Sequence, residues 1–188
     1  MIKELSELSL QELWQLFPIF LVEHKTEWDE WYSSESAEII SLIPKDIAVR
    51  ISHIGSTAIP DIWSKNIVDI LLEVRTPSDL YIVKDILICH GWLCMSEDTD
   101  RISMNKGYTP SGFAEKVFHL HIHLAGDIDE LYFRDYLREN PLIAKEYETL
   151  KLSLMVKFEH NRDGYTESKS DFIRKYSTKA KKQFANRY

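Results

Sequence analysis

The spacing of apolar and polar positions in the first part of the chain predicts two helices followed by two strands. A capping-box pattern at Ser9 begins the first helix, and Pro18 limits it. The second helix, over about 25–43, carries its aromatic residues on one face, as core-facing helices do. Residues 48–53 alternate as a strand does, and residues 67–74 form an apolar run typical of a central strand buried on both faces.

The rest of the pattern predicts one more helix, three more strands and a helical C-terminal part. Thr76 and Pro77 begin the helix, and Gly91 ends it. Strands are predicted over 92–97, 101–105 and 116–124, and C-terminal helices from Asp127 onward, with new starts at Asn140 and at 166–170. We therefore expect an α/β (α+β) fold in which helices cover a mixed sheet of four to five strands. The prediction is one domain over 1–188, with a helical N-terminal segment over 1–45 and C-terminal helices over 127–188.

Length and composition agree with one domain that has a sizeable core. Of the 188 residues, 44% are hydrophobic, and Gly and Pro number only 6 each, which argues against intrinsic disorder. Cys89 and Cys94 are too few for a disulfide framework, so we expect reduced thiols in the core. The N-terminus lacks the pattern of a signal peptide, and no apolar run is long enough to span a membrane. These features predict a cytoplasmic protein.

The formal net charge of −7 argues against general binding of duplex nucleic acid, because neutralising phosphates requires a net basic face. The bases are concentrated near the C-terminus, where Asp171 is the single acid among the residues 169–188. This segment is either the solvated face of an amphipathic helix or a local anion site. The sequence does not indicate an oligomeric state.

The most informative residues lie in the segment between the first two strands. The run H-I-G-S-T-A-I-P over 53–60 places a Gly-Ser turn where a strand ends. Gly55 allows close approach of the backbone to phosphate oxygens, and Ser56 adds a hydroxyl donor. Lys65 follows as a point charge for a phosphate. Asp69 lies inside the next apolar strand, where a carboxylate needs a partner such as a divalent cation.

Three alternating histidines lie on one predicted strand. His119, His121 and His123 project from the same face, and neighbours two apart can share a metal ion, as H-x-H pairs on strands do. His119 and His121 are therefore candidate metal ligands together with Asp69. The spacing also allows a hydrogen-bonded histidine ladder or a solvated face.

The order of these motifs resembles the GrpB family, which belongs to the superfamily with the polymerase-beta-like nucleotidyltransferase fold. The matching pattern is H-x-G-S-T-A-x-P at 53–60, followed by Lys65 and by D-I at 69–70. The resemblance continues in H-L-H at 119–121 and in F-R-D-Y-L-R at 133–138. Further matches at Tyr147 with L-K at 150–151, and at Y-T with Lys169, extend it, so that it covers about 48–173.

The resemblance implies a phosphate or nucleotide site together with a cation site. The residues implied for the phosphate or nucleotide are Gly55, Ser56, Thr57, Lys65, Arg134 and Lys169. The implied metal ligands are Asp69, His119 and His121, and the implied catalytic groups are Asp69 and His121. The cation would be Mg²⁺, Mn²⁺ or Zn²⁺.

One departure from the superfamily pattern bears on activity. Active nucleotidyltransferases carry D-x-[DE] and a third carboxylate, because two Mg²⁺ ions must bridge the triphosphate and the acceptor. Here Leu71 takes the second position, and the histidine strand stands where the third acid is expected. Histidine suits Zn²⁺ or Mn²⁺ better than Mg²⁺.

Two functions follow from this sequence. The first is a protein that binds a nucleotide or another phosphate-bearing small molecule and transfers a nucleotidyl group with an incomplete carboxylate set. The second is a catalytically inactive module of the same fold, used for ligand sensing or protein-protein contacts. A metal-dependent hydrolase built on the histidine strand ranks below both, because no H-E-x-x-H motif and no nucleophile beside a base is present.

Overall fold

The computed structural model describes residues 4–126, 128–185 and 187–188 of the chain. Its helices are α1 (Leu10–Leu16), α2 (Glu27–Leu42), α3 (Pro77–Ile88), α4 (Asp129–Glu139), α5 (Pro141–Phe158), α6 (Arg162–Glu167) and α7 (Ser170–Gln183). Its strands are β1 (Ala48–Ile54), β2 (Val68–Val74), β3 (Leu93–Glu97), β4 (Arg101–Thr109) and β5 (Gly112–Leu124). Short 3-10 turns lie at Leu5–Glu7 and Ser56–Ala58.

The five strands form one mixed sheet in the order β1-β2-β5-β4-β3. β2 and β5 pair in parallel at the centre, and the other pairs are antiparallel. This confirms the predicted α+β fold, with helices over the sheet and a helical C-terminal part. β4 and β5 form a longer hairpin than their short apolar patterns predict.

One face of the sheet packs against α2 and α3 and forms the main hydrophobic core. Trp28 and Ile39 of α2 are fully buried there, as the stripe of aromatic residues predicts. β2 contributes every second residue to this core, and β5 does the same. Because side chains alternate along a strand, the residues between them point to the opposite face.

The opposite face of the sheet is polar and lies toward the C-terminal helices. Asp69 of β2 projects from it, as do the alternating histidines of β5, which the register pairs with β2. Above this face, α4, α5 and α7 pack through a second apolar cluster that includes Tyr132, Tyr147 and Tyr176. The functional residues therefore lie between the polar face of the sheet and the C-terminal helices.

Three sequence predictions about elements have different outcomes. The capping box at Ser9 and the helix start at Thr76 are confirmed, and Thr76 forms a capping box as well. Cys89 and Cys94 are free thiols, but the prediction that they lie in the core is wrong, because both side chains are exposed near the edge strand β3. Asp127, the expected start of the C-terminal helices, lies outside the described residues, and α4 begins at Asp129. The assignment to one domain stays a prediction.

Over the residues that the structure describes, none of the helices has the length and apolar character that crossing a bilayer requires.

An ion pair links α2 to β4 at the border of the main core. Lys106 Nζ lies 2.6 Å from Glu35 Oε1 and 3.4 Å from Glu38 Oε1. Burial raises the pKa of Glu35, although Lys106 opposes the shift. The Lys106 cation therefore keeps a poorly hydrated carboxylate ionised.

We predict that Lys106→Ala lowers the free energy of unfolding at pH 7 by about 1–3 kcal/mol, because Glu35 is left buried without its cation. Without Lys106 the pKa of folded Glu35 rises further, so the penalty is present at neutral pH and shrinks as the pH falls toward 4, where Glu35 binds a proton. Urea unfolding at both pH values measures it. The double variant Lys106→Ala/Glu35→Gln should recover part of the loss at pH 7, and an equal loss at both pH values would contradict the account.

Candidate functional site

The Gly-Ser turn follows β1 directly and lies against the Asp69 carboxylate. Gly55 has φ +69°, a conformation that favours glycine. A Cβ atom added there would lie 2.2 Å from Asp69 Oδ2. Ser56 then begins a single 3-10 turn. Glycine is therefore required both by the backbone conformation and by the closeness of the carboxylate.

Side chains from β1 and α4 hold this turn in place. His53 stacks on Tyr32 at the core side, and its Nε2 lies 3.0 Å from the Thr57 hydroxyl. From α4, Arg134 Nη1 donates to the His53 carbonyl at 2.9 Å, and Arg138 Nε donates to the Ala58 carbonyl at 2.7 Å. Burial lowers the pKa of His53 to about 4, so this imidazole is neutral at pH 7. These contacts fix the position of the backbone in the Gly-Ser turn.

The carboxylate of Asp69 faces two histidines of the neighbouring strand. Its Oδ1 lies 3.1 Å from His119 Nδ1 and 3.7 Å from His121 Nε2. Burial opposes the ionisation of Asp69, but the contacts with the two histidines hold its pKa well below the usual range. Burial lowers the pKa of His119 to about 4 despite Asp69. The cluster therefore offers an ionised carboxylate and a neutral imidazole at pH 7.

The same three residues have the geometry of a cation site. One ligand atom from each lies within 4.8 Å of the other two. Tetrahedral ligands about 2.1 Å from an ion lie about 3.4 Å from one another, between the two distances measured from Asp69 Oδ1. On the far side of His119, Nε2 lies 2.8 Å from the Tyr108 hydroxyl. Arg162 Nη2 donates to that hydroxyl at 2.7 Å and lies 3.1 Å from the same nitrogen, so His119 Nε2 faces hydrogen-bond donors.

Leu71 lies two residues beyond Asp69 on the same face of β2, and it is fully buried. It packs with Ile54 of β1 and Leu131 of α4 in a small apolar cluster. The position at which the sequence resemblance expects a second carboxylate is therefore part of an apolar contact between the sheet and α4.

Four basic side chains surround the acid-histidine cluster. Lys65, Lys151, Arg162 and Lys169 line the same pocket as Asp69. Burial lowers the pKa of Lys151 to about 7 and that of Lys169 to about 8, and neighbouring cations add to both shifts. Burial also lowers the pKa of Lys65 well below its usual range. We call these four residues the basic cluster.

Tyrosine rings support the lysines of the basic cluster. Lys169 Nζ lies 4.3 Å from the centre of the Tyr165 ring, and Lys151 Nζ lies 5.0 Å from that of Tyr147. Lys151 also donates to the Trp63 carbonyl. The Tyr147 side chain is hydrogen bonded to Ser56, so α5 connects the basic cluster to the Gly-Ser turn.

All these groups open into one pocket of about 650 Å³ between the sheet and the C-terminal helices. The residues predicted from the sequence that the structure brings together there are Gly55, Ser56, Thr57, Lys65, Asp69, His119, His121 and Lys169. Arg134 does not line the pocket. Its guanidinium contacts the His53 carbonyl, the Asp135 carboxylate and the Tyr188 hydroxyl.

A comparison with known protein families identifies the family of this chain. The family model described as "GrpB protein" matches residues 18–179, which include all the residues that line the pocket except Lys181. The chain belongs to the GrpB family.

Relatives and a solved structure agree with this assignment. The UPF0157 protein YqkA of Bacillus subtilis is 29% identical over 179 residues, which are 92% of this chain and 51% of that protein. The chain therefore spans about half the length of that relative. The glutamate-rich protein GrpB of Alkalihalophilus pseudofirmus is 31% identical over 160 residues, which are 82% of this chain and 91% of that protein. The crystal structure of the conserved protein GrpB from Enterococcus faecalis has a TM-score of 0.77 at 28% identity and covers 88% of this chain and 99% of that one.

Sequence reasoning missed several residues of this GrpB-family pocket. Lys151, Arg162 and Tyr108 were not candidates, although each lies at the pocket or touches His119. Lys151 sits on a long helix whose pattern does not distinguish it from a surface lysine. The family matches at Tyr147 with Leu150-Lys151 and at Y-T with Lys169 were the signals that this part of the chain approaches the site.

A backbone conformation with positive φ costs a non-glycine residue about 1–3 kcal/mol by itself. We predict that Gly55→Ala destabilises the fold by more than this, because the new Cβ also displaces the Asp69 carboxylate. Urea unfolding measures the loss. Gly91→Ala is the matched control, because Gly91 also has positive φ but a Cβ there meets nothing within 4 Å. Equal losses in the two variants would show that the Gly55–Asp69 contact is not tight.

Proposed function

We propose that the pocket binds a nucleotide or another phosphate-bearing small molecule, together with a divalent cation. The observation that carries this proposal is the basic cluster itself. Four basic side chains line the same pocket as Asp69 in a chain whose net charge is −7. Burial lowers the pKa of the three lysines and neighbouring cations add to the shifts, so the free protein disfavours positive charge on these side chains.

An anionic ligand would relieve this imbalance. Phosphate oxygens accept charge-assisted hydrogen bonds from lysine and arginine, and such bonds are about twice as strong as neutral ones. Arg162 and Lys169 approach from α6 and the start of α7, whereas Lys65 approaches from the loop before β2. The ligand would therefore bridge the sheet and the C-terminal helices, and its phosphate would be contacted by basic side chains from both.

The cation would enter with the phosphate. Asp69, His119 and His121 suit Mn²⁺ or Zn²⁺. Lys65 and Arg162 repel positive charge at His119, as their effect on its pKa indicates. A phosphate group between the lysines and the ion would neutralise both, so the binding of cation and phosphate should be mutually favourable.

The arrangement supports binding more strongly than turnover. Transfer of a nucleotidyl group with two metal ions needs bridging carboxylates, and Leu71 fills the second position with buried apolar surface. The proposal is therefore a ligand-binding or sensing module of the GrpB family. A cytoplasmic location, where nucleotides are abundant, is part of this proposal.

The direct test is calorimetry of the whole chain with ATP, GTP, CTP and inorganic triphosphate, with MnCl₂. We expect binding that Lys169→Ala weakens at least tenfold, because one charge-assisted contact is worth about 1.5–3 kcal/mol. Lys179→Ala is the control, since Lys179 lies on the same helix but outside the pocket, and it should bind as the wild type does. Absence of heat and of thermal stabilisation with every phosphate would overturn the proposal.

We further predict that Asp69→Asn removes the dependence of the melting temperature on Mn²⁺ measured with ATP present, because the ion loses its anionic ligand. The same change should lower the free energy of unfolding of the free protein by about 1–3 kcal/mol, since the ionised Asp69 offsets the basic cluster. The stability that Asp69 provides is present above the usual pKa of aspartate and is lost as the pH falls toward its lowered value. A Mn²⁺ response that persists in Asp69→Asn would place the ion elsewhere.

A further inference from the structure

The pocket continues beyond the basic cluster along α7. Lys169, Ile173 and Ser177 follow one another at intervals of four residues, so they form one line on the helix, and all three line the pocket. Eight residues of helix correspond to about 12 Å between Lys169 and Ser177. Glu130, in the first turn of α4, lines the same pocket. An ion pair between Asp129 and Lys181 holds the start of α4 beside this part of α7.

Two polar atoms at this second end have no hydrogen-bond partner. Among the residues that the structure describes, three buried side-chain polar atoms are unpartnered, and two of them are Glu130 Oε2 and Ser177 Oγ. The third belongs to His24, which is not part of this pocket. Ser177 is only 5% exposed. Unsatisfied buried polar atoms are rare and destabilising in native proteins, so two in one pocket point to a ligand.

The chemistry of this end differs from that of the basic cluster. A carboxylate only accepts hydrogen bonds, and a hydroxyl both donates and accepts. Glu130 would repel a phosphate, and the two cations that line this end, Lys181 and Arg174, are already paired with Asp129 and Asp171. Between the two ends, Phe133 and Ile173 provide an apolar wall. This end therefore suits an uncharged group that carries hydroxyl donors.

We propose that Glu130 and Ser177 form a subsite for the sugar hydroxyls of the ligand, so that the pocket selects nucleotides over inorganic polyphosphates. The inference rests on the proposed function, because it takes the phosphates to lie at the basic cluster. A vicinal diol offers two donors, one for the carboxylate and one for the serine oxygen. The distance along α7 is too long for one phosphate group and suits a phosphorylated sugar.

The test compares three probes by calorimetry with MnCl₂: ATP, 2′,3′-dideoxy-ATP and inorganic triphosphate. ATP should bind the wild type at least tenfold more tightly than either of the others. Glu130→Ala and Ser177→Ala should each weaken ATP binding about tenfold, in line with one lost hydrogen bond to a charged or buried group. Neither variant should weaken the binding of inorganic triphosphate or of dideoxy-ATP.

Thermal unfolding of the free variants separates a binding role from a structural one. Ser177→Ala removes an unpartnered hydroxyl, so its melting temperature should equal or exceed that of the wild type. Ser36→Ala is the control, because that buried helical hydroxyl donates to the Ser33 carbonyl at 3.1 Å. It should lower the melting temperature and leave ATP binding unchanged.

The outcomes distinguish the two proposals. If inorganic triphosphate binds but ATP binds no more tightly, or if dideoxy-ATP binds as ATP does, the sugar subsite is wrong and the phosphate site stands. If the wild type binds none of the three probes, the phosphate site is wrong and the subsite is overturned with it.

Discussion

The parallel pairing of β2 with β5 is the constraint on which the candidate site depends. In this register Asp69 stands beside His119, and Leu71 stands beside His121. Because side chains alternate on a strand, the acid and the histidines share one face, and the apolar residues between them fill the core below α2 and α3. A slip by one residue would turn Asp69 into that core and place Val68 or Ile70 where Asp69 now faces the pocket. The register that packs the hydrophobic core therefore also brings Asp69 next to the histidines.

The C-terminal helices add what the sheet lacks. The sheet provides one carboxylate and two imidazoles, whereas α5, α6 and the start of α7 bring the basic side chains Lys151, Arg162 and Lys169. Placing several cations near one another in a buried pocket opposes folding, and the tyrosine rings offset only part of that cost. The aromatic packing among α4, α5 and α7 supplies the stability that holds them there. An energetically unfavourable cluster of like charges in an otherwise well-packed fold is typical of functional sites.

Much of the fold could be predicted because it rests on local patterns. The capping boxes, the glycine after α3 and the alternation of β5 each have a short-range physical cause that a sequence displays. The site was predictable where a motif sits on the sheet, as at Gly55 and Asp69. It was not predictable for Lys151, because its burial depends on how α5 packs against a distant loop. For Arg134, the resemblance implied a phosphate contact, and only the tertiary structure shows that it donates to the His53 carbonyl just before the Gly-Ser turn.

The contrast between the acidic exterior and the basic interior also governs how a ligand arrives. At low ionic strength the field of the net charge of −7 opposes the approach of any polyanion, whereas the buried cations act only at short range. Salt screens the exterior field over about 8 Å at physiological strength and affects the enclosed charges much less. Added salt should then accelerate the encounter of a small anion with this protein and hasten its release far less. Proteins that meet nucleic acids through a basic surface behave in the opposite way, since salt slows their association.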